Sequence, residues 1–549
     1  MGVKAKSSGA VKEKPMTIGL SDPGMSPLLR CGLGGLASSL RAMLLAKTPR
    51  AKWPSPVDVG GAEYTVDPRS ITVNWNGISP EKALEKLFEQ SFKISKRGLI
   101  DLPGAHDGAT APGPDLQAAL QQALKKTFLQ HGKTTTKNGG PKAISFEVDE
   151  QTVPVPIQPY SEFAHQGAWE VVAKGLNKPV DLAGWAYPGA TQRHVAFGDT
   201  KQEYGAATAL CALFALVGSV SLDAPKGAPG GAGILVIIDP ADLVRFAEVR
   251  PRLAPLSVAE VHVGGAGDAV LQVQAALAAD KRGQEGGQAV RATHAMLLRA
   301  TPWASQQKSR AATISAERVG DDVLDLYVKL MRELPTKLRA AKGAASSKGK
   351  GKSKANDGEG YYALPSAFRA FVADNLANNR RWFHGFATAT TAEKTPRFIH
   401  YYWDREGLGA LRFEERKGLI AMTENLDAAE EVLVSSVQQA LRQRFGRIFD
   451  ETKALSKQAR FNRMDGERER LRLAFAGSKT PEQIRAALAD LWSRAGTVKE
   501  LQAGWKTVLP LLRPERWQAA RDLALVALAS YQGEGARQSD DEKTAKDEN

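Results

Sequence analysis

The run Arg30-Cys-Gly-Leu-Gly-Gly-Leu-Ala37 opens an apolar helix that we predict over about residues 26–46. Its three glycines are unfavourable, because each glycine inside a helix costs about 1 kcal/mol relative to alanine. A helix tolerates them where the backbone of a neighbouring element must come close. The alternative, a phosphate-binding loop, requires a Lys-Ser or Lys-Thr pair after the glycines, and none follows. The pattern therefore favours close packing of this helix in a protein core.

Strand and helix patterns alternate around this helix, which predicts a mixed α/β body. A strand is predicted over residues 16–20. Residues 62–76 alternate between apolar and polar, which is typical of a strand, and residues 144–157 return to this pattern. The apolar stretch 206–220 is shorter than the ~20 residues that span a bilayer. It predicts a buried core helix, and we expect no membrane partner.

The last part of the chain, from about residue 425 to 531, has helical spacing only. Thr480, Pro481 and Gln483 predict the start of one helix with a capping box. Another helix carries an apolar stripe typical of one buried face, formed by Leu433, Val437, Leu441, Phe445 and Ile448. The predicted fold class is α+β: a mixed α/β N-terminal body followed by an all-α C-terminal helical bundle.

Composition shifts divide the chain into six segments. They are a disordered basic tail (1–15), the mixed α/β body (16–340), a Lys-, Gly- and Ser-rich flexible linker or loop (341–360), an aromatic and basic segment completing the body (361–424), the helical bundle (425–531) and a disordered polar tail (532–549). Met422 lies just before the bundle, so translation starting there would produce a separate small subunit.

The charge balance is basic, with 74 Lys and Arg against 60 Asp and Glu, a net charge of +14. Such a surface favours polyanions, although charge alone leaves a merely basic enzyme open. The two cysteines, Cys31 and Cys211, are too few and too far apart for a disulfide framework or a zinc knuckle. We therefore expect a protein of the reducing cytoplasm.

Searches for catalytic motifs give no candidate centre. The sequence has no His-Glu-x-x-His, Gly-x-Ser-x-Gly or P-loop motif, and no two of its eight histidines have metal-ligand spacing on one helix. A predicted strand over 259–263 leads into Gly264-Gly265-Ala266-Gly267, but the third glycine and the acidic residue of a dinucleotide fingerprint are missing. We predict no catalytic residues, metal or cofactor; an enzyme with a site near Gly264–Gly267 is the weaker alternative.

Cationic residues beside aromatic ones are the first candidates for nucleic-acid binding. Lysine and arginine neutralise phosphates, and aromatic rings stack on unpaired bases. The alternatives are that the aromatic rings pack a core and that the helical arginines form ion pairs within the helix. The candidates are Arg380 and Arg381 beside Trp382 and Phe383, Lys394 and Arg397 in the next segment, and Arg442, Arg444 and Arg447 in the bundle.

The start of the chain resembles one protein family. Leu20-Ser-Asp-Pro-Gly24 followed by Arg30-Cys-Gly-Leu-Gly-Gly-Leu-Ala37 is similar to the start of the large subunit of the type I CRISPR Cascade complex, the Cas-eight family in its myxobacterial-type branch. The resemblance implies a non-enzymatic subunit of a crRNA-guided complex. Its implied partners are Cascade backbone subunits, target double-stranded DNA and a nuclease-helicase recruited in trans.

That resemblance implies recognition of a protospacer-adjacent motif in duplex DNA and help in opening the strands. Few base contacts suffice for this, because pairing with the guide reads the remaining sequence. Two loops offer amide or ammonium donors with glycine freedom, although an ordinary surface loop explains each of them as well. These further candidates are Asn74 and Asn76, and then Lys133, Lys137, Asn138 and Lys142. An RNA-binding scaffold of another ribonucleoprotein remains the alternative function.

Overall fold

A computed structural model describes residues 14–106, 111–128, 142–148, 150–182, 203–224, 232–279, 288–301, 304–316, 319–341, 360–387 and 409–531. The chain forms two compact units. The first, the amino-terminal unit, contains Met1–Asp325 and Pro335–Pro365; the second, the helical unit, contains Leu326–Leu334 and Ser366–Asn549. This division places the described residues 366–387 and 409–424 with the helical unit, whereas the sequence prediction assigned 361–424 to the body.

The strands of the described residues are β1 (Met16–Gly19), β2 (Val57–Val59), β3 (Ala62–Val66), β4 (Ser70–Asn74), β5 (Lys93–Ile94), β6 (Ile100–Asp101), β7 (Lys142–Val148), β8 (Gln151–Ile157), β9 (Val180–Asp181), β10 (Glu203–Tyr204), β11 (Val220–Ala224), β12 (Ala232–Pro240), β13 (Val290–Thr301), β14 (Ala304–Ala316), β15 (Lys337–Ala340) and β16 (Tyr361–Leu364).

The helices of the same residues are α1 (Pro27–Lys47), α2 (Pro80–Ser91), α3 (Pro114–Thr127), α4 (Trp169–Lys174), α5 (Ala206–Gly218), α6 (Leu243–Val249), α7 (Val258–Val261), α8 (Ala266–Ala279), α9 (Asp321–Glu333), α10 (Ala367–Ala377), α11 (Gly409–Thr423), α12 (Ala428–Glu451), α13 (Lys457–Ala476), α14 (Pro481–Ala495), α15 (Lys499–Val508) and α16 (Trp517–Ser530).

Antiparallel pairing builds the sheets of the amino-terminal unit. One four-stranded sheet has the order β1-β4-β3-β2 and another has the order β11-β12-β13-β14, while β7 and β8 form a separate two-stranded hairpin. Consecutive helices follow in the helical unit. The predicted α+β class, with a mixed body and an all-α carboxyl-terminal bundle, is confirmed.

Two strand predictions were wrong in detail. Residues 62–76 form two strands, because the amide of Asp67 bonds to the carbonyl of Ser70 at 2.9 Å and reverses the chain. The strand pattern of residues 144–157 is confirmed as the two strands β7 and β8. Residues 258–261 are the short helix α7, not a strand, since the Ser257 hydroxyl accepts a bond from the amide of Glu260 and caps its first turn.

Helices α1 and α5 pack with their backbones in close contact. A Cβ atom built on Gly32 would lie 1.7 Å from the carbonyl oxygen of Cys211, and one on Gly35 would lie 2.4 Å from that of Phe214. On the facing helix, a Cβ on Gly218 would lie 1.9 Å from the carbonyl oxygen of Cys31. Only glycine fits at these positions, so the predicted close approach is confirmed.

Both helices are core elements of the amino-terminal unit. By length and composition α1 could cross a membrane, but 72% of its most apolar stretch is buried inside the protein. Helix α5 is buried along almost its whole length, as predicted. Cys31 and Cys211 are fully buried between them, and desolvation raises the pKa of the Cys31 thiol to about 12 and the pKa of the Cys211 thiol further still. Neither thiol is therefore reactive at neutral pH.

The helical unit is organised around α12, which packs against α14, α15 and α16. The stripe that was predicted from its spacing is confirmed, since all five of its side chains are buried. The Asp427 carboxylate accepts bonds from the amides of Ala429 and Glu430 and completes a capping box at the start of α12. Met422 is fully buried in α11.

A buried carboxylate fixes the segment that follows α10. Asp522 in α16 accepts bonds from the amides of Gly385 at 2.8 Å and Ala387 at 3.0 Å. Burial raises the pKa of Asp522, although the two amides and the neighbouring Arg521 partly oppose this. The contact joins residues 380–387 firmly to the last helix of the bundle.

Candidate nucleic-acid interface

The aromatic residues after α10 belong to the core. Trp382 and Phe383 are each 1% exposed and meet edge to face, with ring centroids 5.4 Å apart. They are therefore not placed to stack on bases. The Arg381 guanidinium binds the fully buried carboxylate of Glu430, with Nε 3.0 Å from Oε1, whereas the neighbouring Arg380 is exposed. Lys394 and Arg397 lie outside the described residues.

Arg444 and Arg447 of α12 make contacts that hold the bundle together. Arg444 Nε lies 3.1 Å from Glu467 Oε1. The Arg447 guanidinium donates to the last carbonyls of α14, at 2.9 Å to Arg494 and 3.0 Å to Ala495. It thereby supplies hydrogen-bond donors to carbonyl groups that have no partner within the helix. Arg442 is exposed. Replacing the three together would therefore loosen the bundle as well as remove charge.

The arginines in the second half of α13 also have internal partners. Arg470 binds Glu467 and Asp490, and Arg472 binds Glu469. The Arg468 guanidinium lies over the Phe445 ring, 5.2 Å from its centroid. The ion-pair alternative thus holds for Arg470 and Arg472, and these residues support the bundle.

The end of α12, the connection that follows it and the first half of α13 present a different surface. We call it the α13 patch, formed by Phe449, Leu455, Lys457, Arg460, Phe461 and Arg463. Three of its apolar side chains are unusually exposed, at 44%, 50% and 44% for Phe449, Leu455 and Phe461. The Arg460 guanidinium lies 4.4 Å from the Phe449 ring centroid. Lys457 and Arg463 are exposed. Exposed rings beside cations are the groups that bind single-stranded nucleic acid.

Sequence reasoning missed the two phenylalanines of this patch. An aromatic residue at helical spacing is normally interpreted as a core residue, and Phe449 directly follows the buried Ile448. A signal was nevertheless present, because Phe449 does not fit the stripe formed by the five core residues of α12. An aromatic residue off the stripe indicates a ring that faces solvent.

The candidate loop at the end of β4 is a tight turn. Asn76 and Gly77 have φ values of +51° and +79°, and the amide of Ile78 bonds to the carbonyl of Trp75 at 2.8 Å. An Asn-Gly pair with positive φ is typical of a type I′ turn. The Asn74 side-chain oxygen accepts from the Asn76 amide at 3.3 Å, and both side chains are exposed.

The glycine loop at 264–267 is closed by its own helix. The Gly264 amide donates to Asp268 Oδ2 at 2.8 Å, so this donor is not available to a phosphate. Close by in sequence, His262 Nδ1 lies 3.2 Å from Asp223 Oδ2 and its Nε2 lies 3.1 Å from the Tyr361 hydroxyl. All three side chains are buried. Burial opposes ionisation, but His262 and Lys126 hold the pKa of Asp223 below its ordinary value. This network supports the core.

Among the described residues, no group of three or more His, Cys, Asp or Glu side chains is arranged to hold a metal ion. Described residues of the amino-terminal unit line an apolar cavity and an open groove. A largely apolar cavity of about 80 Å³, bordered by His106 and Arg250, is too small for a nucleotide. An open groove of about 640 Å³ is bordered by Lys142. Of the candidates on that loop, Lys133, Lys137 and Asn138 lie outside the described residues.

Comparison with known proteins agrees with this architecture. Residues 17–213 match the DevT N-terminal domain, and residues 421–549 match the DevT C-terminal domain. The chain is 52% identical over 523 residues to the CRISPR-associated protein Cas8a1/Csx13 of Myxococcus xanthus (strain DK1622). The alignment covers 95% of this chain and 89% of the relative. The chain belongs to the Cas8a1/Csx13 family. The resemblance predicted from the Asp-Pro-Gly turn and the glycine-rich helix is thereby confirmed.

Proposed function

We propose that this Cas8a1/Csx13 family member is the non-catalytic large subunit of a crRNA-guided interference complex. In this role it recognises the protospacer-adjacent motif in duplex DNA, aids strand opening and recruits the nuclease-helicase that cuts. The observation that carries the proposal is the α13 patch, where exposed phenylalanine rings lie beside Lys457, Arg460 and Arg463. Such a surface fits a strand whose bases are unpaired.

In guided recognition the guide and the protein read different parts of the target. Base pairing with the guide reads most of the target, so the protein needs only a few contacts with base edges in the flanking duplex. Asn76 is the best described candidate, since its exposed amide stands on a rigid type I′ turn. An asparagine amide can bond an adenine edge in the major groove through two hydrogen bonds. Phosphate contacts elsewhere would fix its position.

Flank discrimination is the direct test of this role. The assembled complex is incubated with duplexes that share one target sequence and carry a library of flanking motifs. We expect affinity to depend strongly on the flank, since pairing cannot begin until the flanking duplex is recognised and opened. Asn76→Ala should reduce the discrimination while leaving pairing with a pre-opened target intact. Equal affinity for all flanks would refute motif recognition, and preferential binding of unrelated RNA would favour the ribonucleoprotein scaffold.

The α13 patch has its own charge test. Replacing Lys457 and Arg463 with alanine should weaken binding to the opened target about tenfold. It should also reduce the salt slope, the slope of log affinity against log salt concentration, by about 2, because each residue contributes about one phosphate contact. A matched control replaces Lys86 and Arg485, which are exposed and paired with Glu89 and Glu482.

The two double variants of this charge test lose the same charge, so a general electrostatic effect would appear in both. Affinity is measured by titration at several salt concentrations. An unchanged slope in the patch variant would remove the α13 patch from the nucleic-acid path. Thermal unfolding of both variants, compared with the parent, shows whether the bundle remains intact.

A further inference from the structure

The open groove in the amino-terminal unit carries positively charged side chains and is open to solvent. One side is the turn between β5 and β6, which carries Arg97; the other includes Lys142 at the start of β7 and Pro114 at the start of α3. Its volume of about 640 Å³ is eight times that of the apolar cavity, about 80 Å³, in the same unit. A groove of this size admits an extended chain.

Arg97 and Lys142 give the lining of this groove two positive charges, and both side chains are exposed. Lys93 and Lys96 are exposed on the same β5–β6 hairpin as Arg97, outside the groove lining. Within the described part of the chain none of these four side chains forms an ion pair, in contrast to Arg444, Arg470 and Arg472 of the helical unit. Asp115 is the acidic residue among those that line the groove. Cations without internal partners are free to bind an external anion.

The floor of the groove is formed by the first residues of β7, where the outward side chains that follow Lys142 are short; the exposed Glu147 lies further along the strand, outside the groove lining. Ala143 and Ser145 are exposed, while Ile144 between them points into the core. Opposite them on β8, at the registered positions, lie Pro156 and Pro154. A floor without long side chains gives a ligand close access to both rims. It offers few groups that could distinguish one base from another, so the ligand is recognised by its charge and its extended form.

We propose that this groove holds a stretch of sugar–phosphate backbone, with Arg97 and Lys142 as its phosphate contacts. The inference rests on the proposed role in nucleic-acid binding and adds a second, sequence-indifferent contact surface to it. The phosphodiester chain is shared by DNA and RNA, so the test compares single-stranded DNA, duplex DNA and single-stranded RNA of equal length. An acidic protein segment is the competing occupant, and polyglutamate is its probe.

A charge reversal tests the groove. In the full chain, Arg97→Glu with Lys142→Glu should lower affinity for at least one of the three nucleic acids more than tenfold and reduce its salt slope by about 2. The control, Lys52→Glu with Lys178→Glu, makes the same charge change at exposed lysines outside the groove lining. It should change affinity less than twofold. An equal loss in the control, or a loss of polyglutamate binding alone, overturns the proposal.

A footprint provides the second measurement and does not depend on charge. Because Cys31 and Cys211 are buried, Ser145→Cys introduces the one thiol of the described residues that a maleimide can reach. Bound nucleic acid should slow labelling at this position severalfold and leave labelling of a Lys178→Cys control unchanged. Equal labelling with and without ligand overturns the groove proposal. Flank discrimination in the assembled complex is scored separately, so the two proposals can fail independently.

Discussion

Replacing Gly32 or Gly218 with alanine is expected to prevent the amino-terminal unit from folding stably. At each position the added methyl would lie within 2 Å of a carbonyl oxygen of the facing helix, far inside van der Waals contact. Overpacking that side chains can absorb costs about 1–3 kcal/mol. Here the obstructing atoms are backbone in both α1 and α5, so the helices must separate. We expect a loss of at least about 3 kcal/mol, comparable with a large part of the stability of many domains.

The glycine test has a matched control in the helical unit. Gly446 and Gly466 also lie inside helices, but a Cβ at either would meet nothing within 4 Å. Alanine there should stabilise the protein by about 0.5–1 kcal/mol, because alanine is the better helix former. Soluble yield and thermal unfolding distinguish the two pairs. A Gly32→Ala variant that unfolds at the same temperature as the parent protein would show that α1 and α5 do not pack as described.

The second large effect is expected at Arg250. Its guanidinium is buried without a carboxylate partner among its described contacts and donates to three carbonyl oxygens: Val217 at 2.7 Å, Ser219 at 2.6 Å and Ala105 at 3.2 Å. Burial lowers its pKa to about 10, so it remains charged at neutral pH. Arg250→Leu leaves these carbonyls without a donor. Since each unsatisfied buried group costs about 1–3 kcal/mol, the total loss should be at least about 3 kcal/mol.

Two further variants separate the hydrogen bonds of Arg250 from its charge. Arg250→Lys keeps the charge, but a single ammonium cannot match the planar fork that reaches three carbonyls, so most of the loss should remain. Arg245→Leu, on the neighbouring α6, removes a half-exposed arginine whose ion pair with Asp242 is long at 3.8 Å and should change stability by less than about 1 kcal/mol. Urea unfolding measures all three variants. Equal stability of Arg250→Leu and Arg245→Leu would contradict this account.

Local patterns predicted the core well. The glycines of α1 could be interpreted because glycine in a helix needs a packing reason, and the apolar run of α5 could be interpreted because it is too short for a bilayer. The five-residue stripe of α12 and the Thr480 cap of α14 were likewise confirmed. Each of these signals is contained within about one helix, so one sequence suffices to detect it.

The candidate interface could be predicted less completely. Arg444 and Arg447 find partners in α13 and α14, at 3.1 Å and 2.9 Å, and no spacing rule within α12 foretells such contacts. Arg97 becomes relevant only because the β5–β6 turn lies beside β7, some 45 positions later in the chain. Whether a cation is free depends on the tertiary neighbours that surround it. The sequence therefore predicts where positively charged residues lie, and the tertiary contacts determine which of these residues can bind an external anion.

The two prolines of β8 have a consequence for self-association. Pro154 and Pro156 lack amide hydrogens, and among the described residues β8 pairs with β7 alone. An open strand edge is a template on which a second chain can add and begin an aggregate. Two donors missing at alternate positions interrupt the regular ladder that such growth requires. Addition of a second copy of the chain along β8 is thus disfavoured.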